Sequence, residues 1–284
     1  MADATQRIGH RLALQLACLA ARCLTAPAFE RRVEVMGLHF AAPLGIAAGF
    51  DRFGRLARQA GALGFGFNEI GSIDLAATTR LSARALTSGT ARLGINLSLD
   101  SDITLTALRA GLARAWPLAD YLTLNLIDPR GAALLGIEQR ARLRLLLAAA
   151  RIEQQRLNRC ERRVPLVVKL RCLPDEVPLE LTELLLELGY DGLLVAHDPG
   201  PPATRQRYHA WQNEVRQAQA CAQVEQLRRL CAGQMALMSV GGIQTAAHLQ
   251  ARLAAGAELV QVHSVLLHDW PWNVQRLLDG GKPA

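Results

Sequence analysis

Met238-Ser239-Val240-Gly241-Gly242-Ile243 and, about twenty residues on, Leu259-Val260-Gln261-Val262-His263-Ser264 are the stretches that decide the fold. Each is a short apolar run ending in small residues, and a helical pattern lies between them. Two strand-to-loop units at the mouth of a parallel barrel read this way, with main-chain N–H groups left over to cradle a phosphate.

Working outward, short apolar runs recur at Leu44 to Ala48, Phe65 to Ile70, Leu93 to Leu97, Tyr121 to Leu126, Leu166 to Leu170, Gly192 to Ala196, Ala236 to Val240 and Leu259 to Val262. Strands buried on both faces are continuously apolar, and strands alternating with helices make a parallel sheet. Eight such units predict a closed (β/α)8 TIM barrel over residues 31–284, preceded by an N-terminal helical segment over 1–30. Helices are expected at Phe53 to Leu63, Thr104 to Ala115, Glu138 to Asn158, Pro178 to Leu188, Ala218 to Cys231, Ala246 to Ala255 and Trp272 to Leu278. Residues 74–91 read as a loop or an irregular helix. The long connection from His197 to about Gln217 belongs on the catalytic face, where lids occur.

The 284 residues are 50% hydrophobic, which supplies a sizeable core without any apolar run long enough to span a bilayer. A net charge of +7 could attract an anionic partner, but aromatics are 5% and no basic cluster is interleaved with them. That pattern argues against nucleic acid and for a solvated Arg-rich surface. The six cysteines show neither a CxxC pair nor metal-ligand spacing with the seven histidines, so free thiols in the cytoplasm are expected and no metal site is. Residues 5–24 form an amphipathic pattern with three readings: a helix packed on the body, an interfacial helix at a membrane or quinone entrance, or a cleavable signal. Arg22 interrupts the apolar run and argues against the last.

Only two of the 32 basic residues are Lys, Lys169 and Lys282. Lys169 ends an otherwise apolar strand, where a compact ammonium fits and a guanidinium fork would not. In a barrel of this kind the reacting residues sit at the carboxyl ends of the strands. Those ends offer Ala48, Gly49 and Arg52, then Ser72, Asn96, Asn125 with Asp128, Lys169, His197 with Asp198, Gly241 with Gly242, and His263 with Ser264. Two Asn, a Lys and a double-Gly cradle suit a flat hydrogen-bonding cofactor with a phosphate tail, and flavin mononucleotide (FMN) fits that description. Taken singly, each has a structural explanation as a turn, cap or core residue.

Pro43 to Arg52, Gly61 to Gly66, Glu69-Ile70-Gly71, Leu93-Gly94-Ile95-Asn96, Ala119-Asp120-Tyr121 to Asn125, Val167-Val168-Lys169-Leu170, Ser239 to Ile243 and Ala254 to Val262 together resemble the dihydroorotate dehydrogenase family. The quinone-using, membrane-associated class is the nearest, and the likeness spans most of residues 30–278. It implies an FMN-dependent oxidoreductase of pyrimidine biosynthesis. Ala48, Gly49, Ser72, Asn96, Asn125 and Lys169 would touch the flavin ring, and Gly241, Gly242 and Ser264 the phosphate. It also implies a membrane-facing quinone entrance at the N-terminal helix.

The departures concern chemistry more than fold. The family's Asn-Ile-Ser-Ser-Pro-Asn after the fourth strand is Asn125-Leu126-Ile127-Asp128-Pro129-Arg130 here, which puts Asp128 at the position of the base and Arg130 at that of a substrate Asn. The Thr-Asn after the sixth strand is Ala196-His197, the early Lys is Arg52, and the substrate loop and a glycine-rich loop near the phosphate are missing. Of the four Asn that hold orotate in the family, Asn125 survives. A site built to hydrogen-bond its substrate discriminates by on the order of 10⁴-fold when partners vanish. The expectation is therefore an altered, small anionic substrate held by Arg52, Arg130 and His197, with Asp128 as a base if burial raises its pKa. A non-catalytic, flavin-binding or partner protein is the alternative. The sequence leaves the oligomeric state open.

Overall fold

A computed structural model describes residues 2–24, 32–75, 86–160, 162–198, 203–268 and 277. After the helix α1 (Ala2–Cys23), a two-stranded hairpin β1 (Val33–Val35) and β2 (Leu38–Phe40) leads into eight parallel strands. These are β3 (Leu44–Ile46), β4 (Phe67–Asp74), β5 (Arg92–Ser98), β6 (Tyr121–Asn125), β7 (Leu166–Arg171), β8 (Gly192–Ala196), β9 (Ala236–Val240) and β10 (Leu259–Val262). They close in the order β10-β3-β4-β5-β6-β7-β8-β9. Closure is made by β10 against β3, with Val260 opposite Leu44 and Val262 opposite Ile46. All eight apolar runs are thus strands of one barrel, as the sequence predicts.

The barrel is dry at its amino end and polar at its centre. Phe67 and Tyr121 meet Phe40 of the hairpin edge to face and tilted, closing that end with aromatic rings. The outer layer comprises α2 (Leu105–Ala115), α3 (Arg140–Cys160), α4 (Leu179–Glu187), α5 (Arg205–Ala210), α6 (Glu214–Cys231), α7 (Ala246–Ala254) and α8 (Val265–His268). Thr104, Thr204, Asn213 and Thr245 each cap the following helix by accepting a backbone N–H, which fixes where the chain turns back from the barrel mouth.

Three local expectations change. The segment Phe53 to Leu63 holds a 3-10 helix over Ala57–Leu63 instead of a full α-helix, because the Asp51 carboxylate draws the preceding chain into a tight turn. The connection after β8 contains α5, and α6 begins at Glu214, four residues before the apolar pattern indicates. The uncertain stretch 74–91 and the helix expected at 272–278 fall largely outside the described residues.

Helix α1 packs on the body through Ala13, Leu14, Ala17 and Ala21, whose small side chains allow a close approach. His10 Nε2 donates to the Phe50 carbonyl at 2.7 Å and stacks on the Phe50 ring. This is the first of the three readings of residues 5–24. The opposite face exposes Ile8, Leu12, Leu16 and Leu19. No described helix is long and apolar enough to cross a membrane.

Asp51 fixes the loop after β3. Fully buried, it accepts the N–H groups of Arg55, Leu56 and Ala57 and the Asn68 amide at 2.7 to 3.1 Å. Asp51→Ala strands these buried donors and is expected to destabilise the fold by about 2–5 kcal/mol. Urea unfolding checks this, and an unchanged midpoint would show that the donors find other acceptors.

Candidate active site

At the carboxyl end of the barrel lies a cavity of about 940 Å³, within the range of small-molecule sites. Every strand except β5 delivers residues to its wall from its end or the loop just beyond. Among them are Ala48, Gly49, Arg52, Ser72, Asn125, Asp128, Lys169, Gly241, Gly242 and Ser264, all singled out from the sequence. The Asn125 amide donates to Ser72 Oγ at 2.8 Å while its Oδ1 accepts the Ile127 N–H. One amide proton of Asn125 and the Ser72 hydroxyl proton remain for a ligand.

Lys169 is 8% exposed and has no hydrogen-bond or ion-pair partner among the described residues. Burial pulls its pKa below the ordinary value; Glu69 opposes this and Arg171 adds to it. Glu69 lies inside the barrel, where its oxygens accept from Asn96 Nδ2, Tyr121 Oη, Thr123 Oγ1 and Gln261 Nε2 at 2.8 to 3.2 Å. Four donors thus satisfy the carboxylate, whose charge acts on the ammonium. Lys169 faces the cavity with no hydrogen-bond partner among the described residues.

At the β9 and β10 ends, Gly241 and Gly242 adopt φ of 107° and 79°, conformations in which L side chains are strained. A Cβ on Gly242 would overlap the Trp211 ring. The N–H groups of Gly241, Gly242, Ile243, His263 and Ser264 enter no backbone hydrogen bond among the described residues. Successive free N–H groups in turn conformation form an anion-binding nest. The cavity size, an ammonium with no partner among the described residues and this nest would suit a flat cofactor with a phosphate tail such as FMN, with Lys169, Asn125 and Ser72 able to meet the ring and the nest able to meet the phosphate.

Three expected site residues lie elsewhere. Asn96 is fully buried in the polar layer with Glu69, since its β5 position points into the barrel. Arg130 is engaged by Asp74 and Asp128 at 2.9 and 3.3 Å and stays off the cavity wall. His197 turns outward between β8 and α6, where Nδ1–H donates to Gln223 Oε1 at 2.9 Å. Burial and then Arg252 lower its pKa to about 3, so it is neutral. It lines a separate cavity of about 500 Å³ with Cys172 and Arg216. Cys172 is a buried thiol pushed up to about 12, mainly by burial, which makes it inert.

Asp128 faces the cavity with a different protonation from that expected. Burial, the largest influence, acts to raise its pKa, but the Ser98 hydroxyl at 2.7 Å and the N–H groups and charge of Arg130 together lower it. The carboxylate is held ionised as the acceptor of an Asx turn.

Sequence reasoning missed the part of the wall that α1 supplies. Arg7, His10, Arg11 and Leu14 line the cavity, and their spacing places them on one helical face, a signal present in the sequence. It also missed Gln244, Tyr208 and Trp211, which reach the site through tertiary packing. Burial, followed by His10, Lys169 and His268, lowers the pKa of His263 to about 4.

Residues 78–281 match the family model described as dihydroorotate dehydrogenase. The chain belongs to the dihydroorotate dehydrogenase family. A dihydroorotate dehydrogenase (quinone) of Rhodospirillum rubrum is 32% identical, over 86% of this chain and 77% of that protein. One of Stenotrophomonas maltophilia is also 32% identical, over 95% and 90%. The crystal structure of DHODH in complex with ferulenol from Eimeria tenella superposes with a TM-score of 0.74 at 24% identity, covering 97% of this chain and 90% of that one. At that identity the superposition speaks for the fold: the dihydroorotate dehydrogenase barrel is kept.

In this family member the Asp128 carboxyl has a folded pKa below its unfolded one. It contributes stability fully present above about pH 4 and lost as pH falls through the lower, folded value. Asp128→Asn is expected to lower the thermal midpoint at pH 7, with the gap to wild type closing in acid. A gap that is constant with pH would contradict the ion-pair and hydrogen-bond origin of the shift.

Proposed function

We propose that this chain is an FMN-dependent oxidoreductase that oxidises a small anionic substrate other than dihydroorotate. The observation that carries this is Lys169, a buried ammonium without a partner among the described residues, in a cavity whose other end is lined by main-chain N–H groups that enter no backbone hydrogen bond among those residues. When bound, FMN supplies the two-electron acceptor. Lys169 would stabilise negative charge at the ring, while Ala48, Gly49, Ser72 and Asn125 would orient it. Gly241, Gly242 and Ser264 would hold the phosphate.

Anionic preference follows from the wall itself. Arg7, Arg11, Arg52, Arg55 and Arg171 line the cavity beside two carboxylates, Asp128 and Asp198. Arg52 is the family-aligned candidate for substrate contact. Asp128, ionised, can accept a substrate proton, and so weak a base suits a substrate whose own proton is acidic. We further propose that residues 5–24 meet a quinone or a membrane surface with the outward face of Ile8, Leu12, Leu16 and Leu19, in a cytoplasmic protein peripheral to the bilayer. The quinone-linked relatives support this reading.

A second reading, a flavin-binding or partner protein without turnover, is favoured by one observation: both Asp128 oxygens are engaged within the fold. Anaerobic mixing separates the two. Flavin-loaded protein should not bleach with dihydroorotate and should bleach with a small carboxylate found by screening, with Asp128→Asn abolishing that reduction. Bleaching by dihydroorotate at the speed of the relatives would overturn the altered substrate, and reduction untouched in Asp128→Asn would remove Asp128 as base.

A further inference from the structure

Arg252 of α7 is fully buried, yet no carboxylate lies within ion-pair distance of it among the described residues. Its Nη1 donates to Ser239 Oγ at 2.9 Å and its Nη2 to Gln217 Oε1 at 3.3 Å, while Nε has no acceptor. Thiols complete its surroundings, with Cys221 in hydrogen-bond contact and Cys172 near. A guanidinium buried without a carboxylate is costly, and an anion at the neighbouring turn would offset that cost.

The Arg252 bond also decides which way round the Gln217 amide sits. With Oε1 turned to the guanidinium, the NH₂ group donates to the Gly242 carbonyl at 2.6 Å and to the Trp211 carbonyl at 2.9 Å. In a planar trans peptide the C=O and the next N–H point in opposite directions. Pulling the Gly242 carbonyl outward to α6 therefore aims the Ile243 N–H inward, and Ile243 lines the cavity with its N–H unused. The neighbouring carboxylate, Asp198, accepts from Trp211 Nε1 at 2.8 Å and makes no ion pair with Arg252. Trp211, bonded at both its indole and its carbonyl, presses its ring on Gly242 and fixes the turn from behind.

We propose that Arg252 and Gln217 are the positioning pair of a phosphate-monoester site at Gly241–Ile243: Arg252 supplies the positive field behind the nest, and Gln217 sets the direction of its N–H donors. This rests on the flavin reading only for the identity of the ester. Gln217 on α6 and Arg252 on α7 act together from behind the nest, with Trp211, just after α5, closing the turn.

The test is equilibrium binding of FMN, riboflavin and inorganic phosphate to the full chain and to the Gln217→Leu and Arg252→Met variants. Losing a donor-orienting bond to a charged ligand is expected to weaken FMN and phosphate binding about 10- to 100-fold. Riboflavin, which has no phosphate, should bind the variants as it binds wild type. Equal losses for FMN and riboflavin, or unchanged FMN affinity, would overturn the proposal. If Arg252→Met does not fold, Gln217→Leu decides alone, since it leaves the guanidinium in place. Wild-type protein that binds phosphate but not FMN sinks the flavin reading and leaves the positioning pair standing; binding of neither sinks both.

Discussion

An ammonium buried at the mouth of an apolar barrel is the constraint on which the rest of the structure depends. Lys169 has no hydrogen-bond partner among the described residues, and the Glu69 carboxylate inside the barrel offsets part of the cost of burying its charge. That carboxylate is itself expensive to bury, and three strands other than its own offset this with Asn96, Tyr121, Thr123 and Gln261. Polar residues that would otherwise be anomalies in a barrel core thus form one layer with one purpose. The aromatic closure by Phe40, Phe67 and Tyr121 below that layer keeps water out and the interaction strong.

Two halves of the cavity follow different rules. On the side of β9 and β10 the wall presents backbone N–H groups, and these survive substitution of side chains as long as Gly241 and Gly242 keep their left-handed turns. On the side of β6 the wall presents side chains instead, Asn125 and Asp128 among them. Asp128 pairs with Arg130, and Asp74 and Ser98 complete the cluster, so these side chains are engaged with one another within the fold.

The barrel was legible because period and burial are local properties: Leu193 to Ala196 can only be a strand buried on both faces, and seven other runs read alike. Lys169 was legible for the same reason, as a single charge in an apolar run. What stayed hidden depends on orientation and long-range contact. His197 follows its strand by one residue, and that residue's side chain turns out of the barrel toward Gln223. Asn96 occupies an interior position of β5, one layer away from the wall, which strand spacing alone does not reveal. The sign of the Asp128 shift depends on Ser98, thirty residues earlier, and Arg130. The cavity wall built by Arg7, His10 and Arg11 had a visible helical face but no indication of what it covers.

The central claim is that Lys169 waits for a flavin. Titration of the purified protein with FMN, followed by its visible absorbance and by the midpoint potential of the bound flavin in wild type and Lys169→Met, tests it most directly. The account predicts one FMN per chain and a lower potential in the variant, because removing the ammonium removes the charge that stabilises the reduced ring. A protein that takes up no FMN, or equal potentials in the two forms, would contradict it.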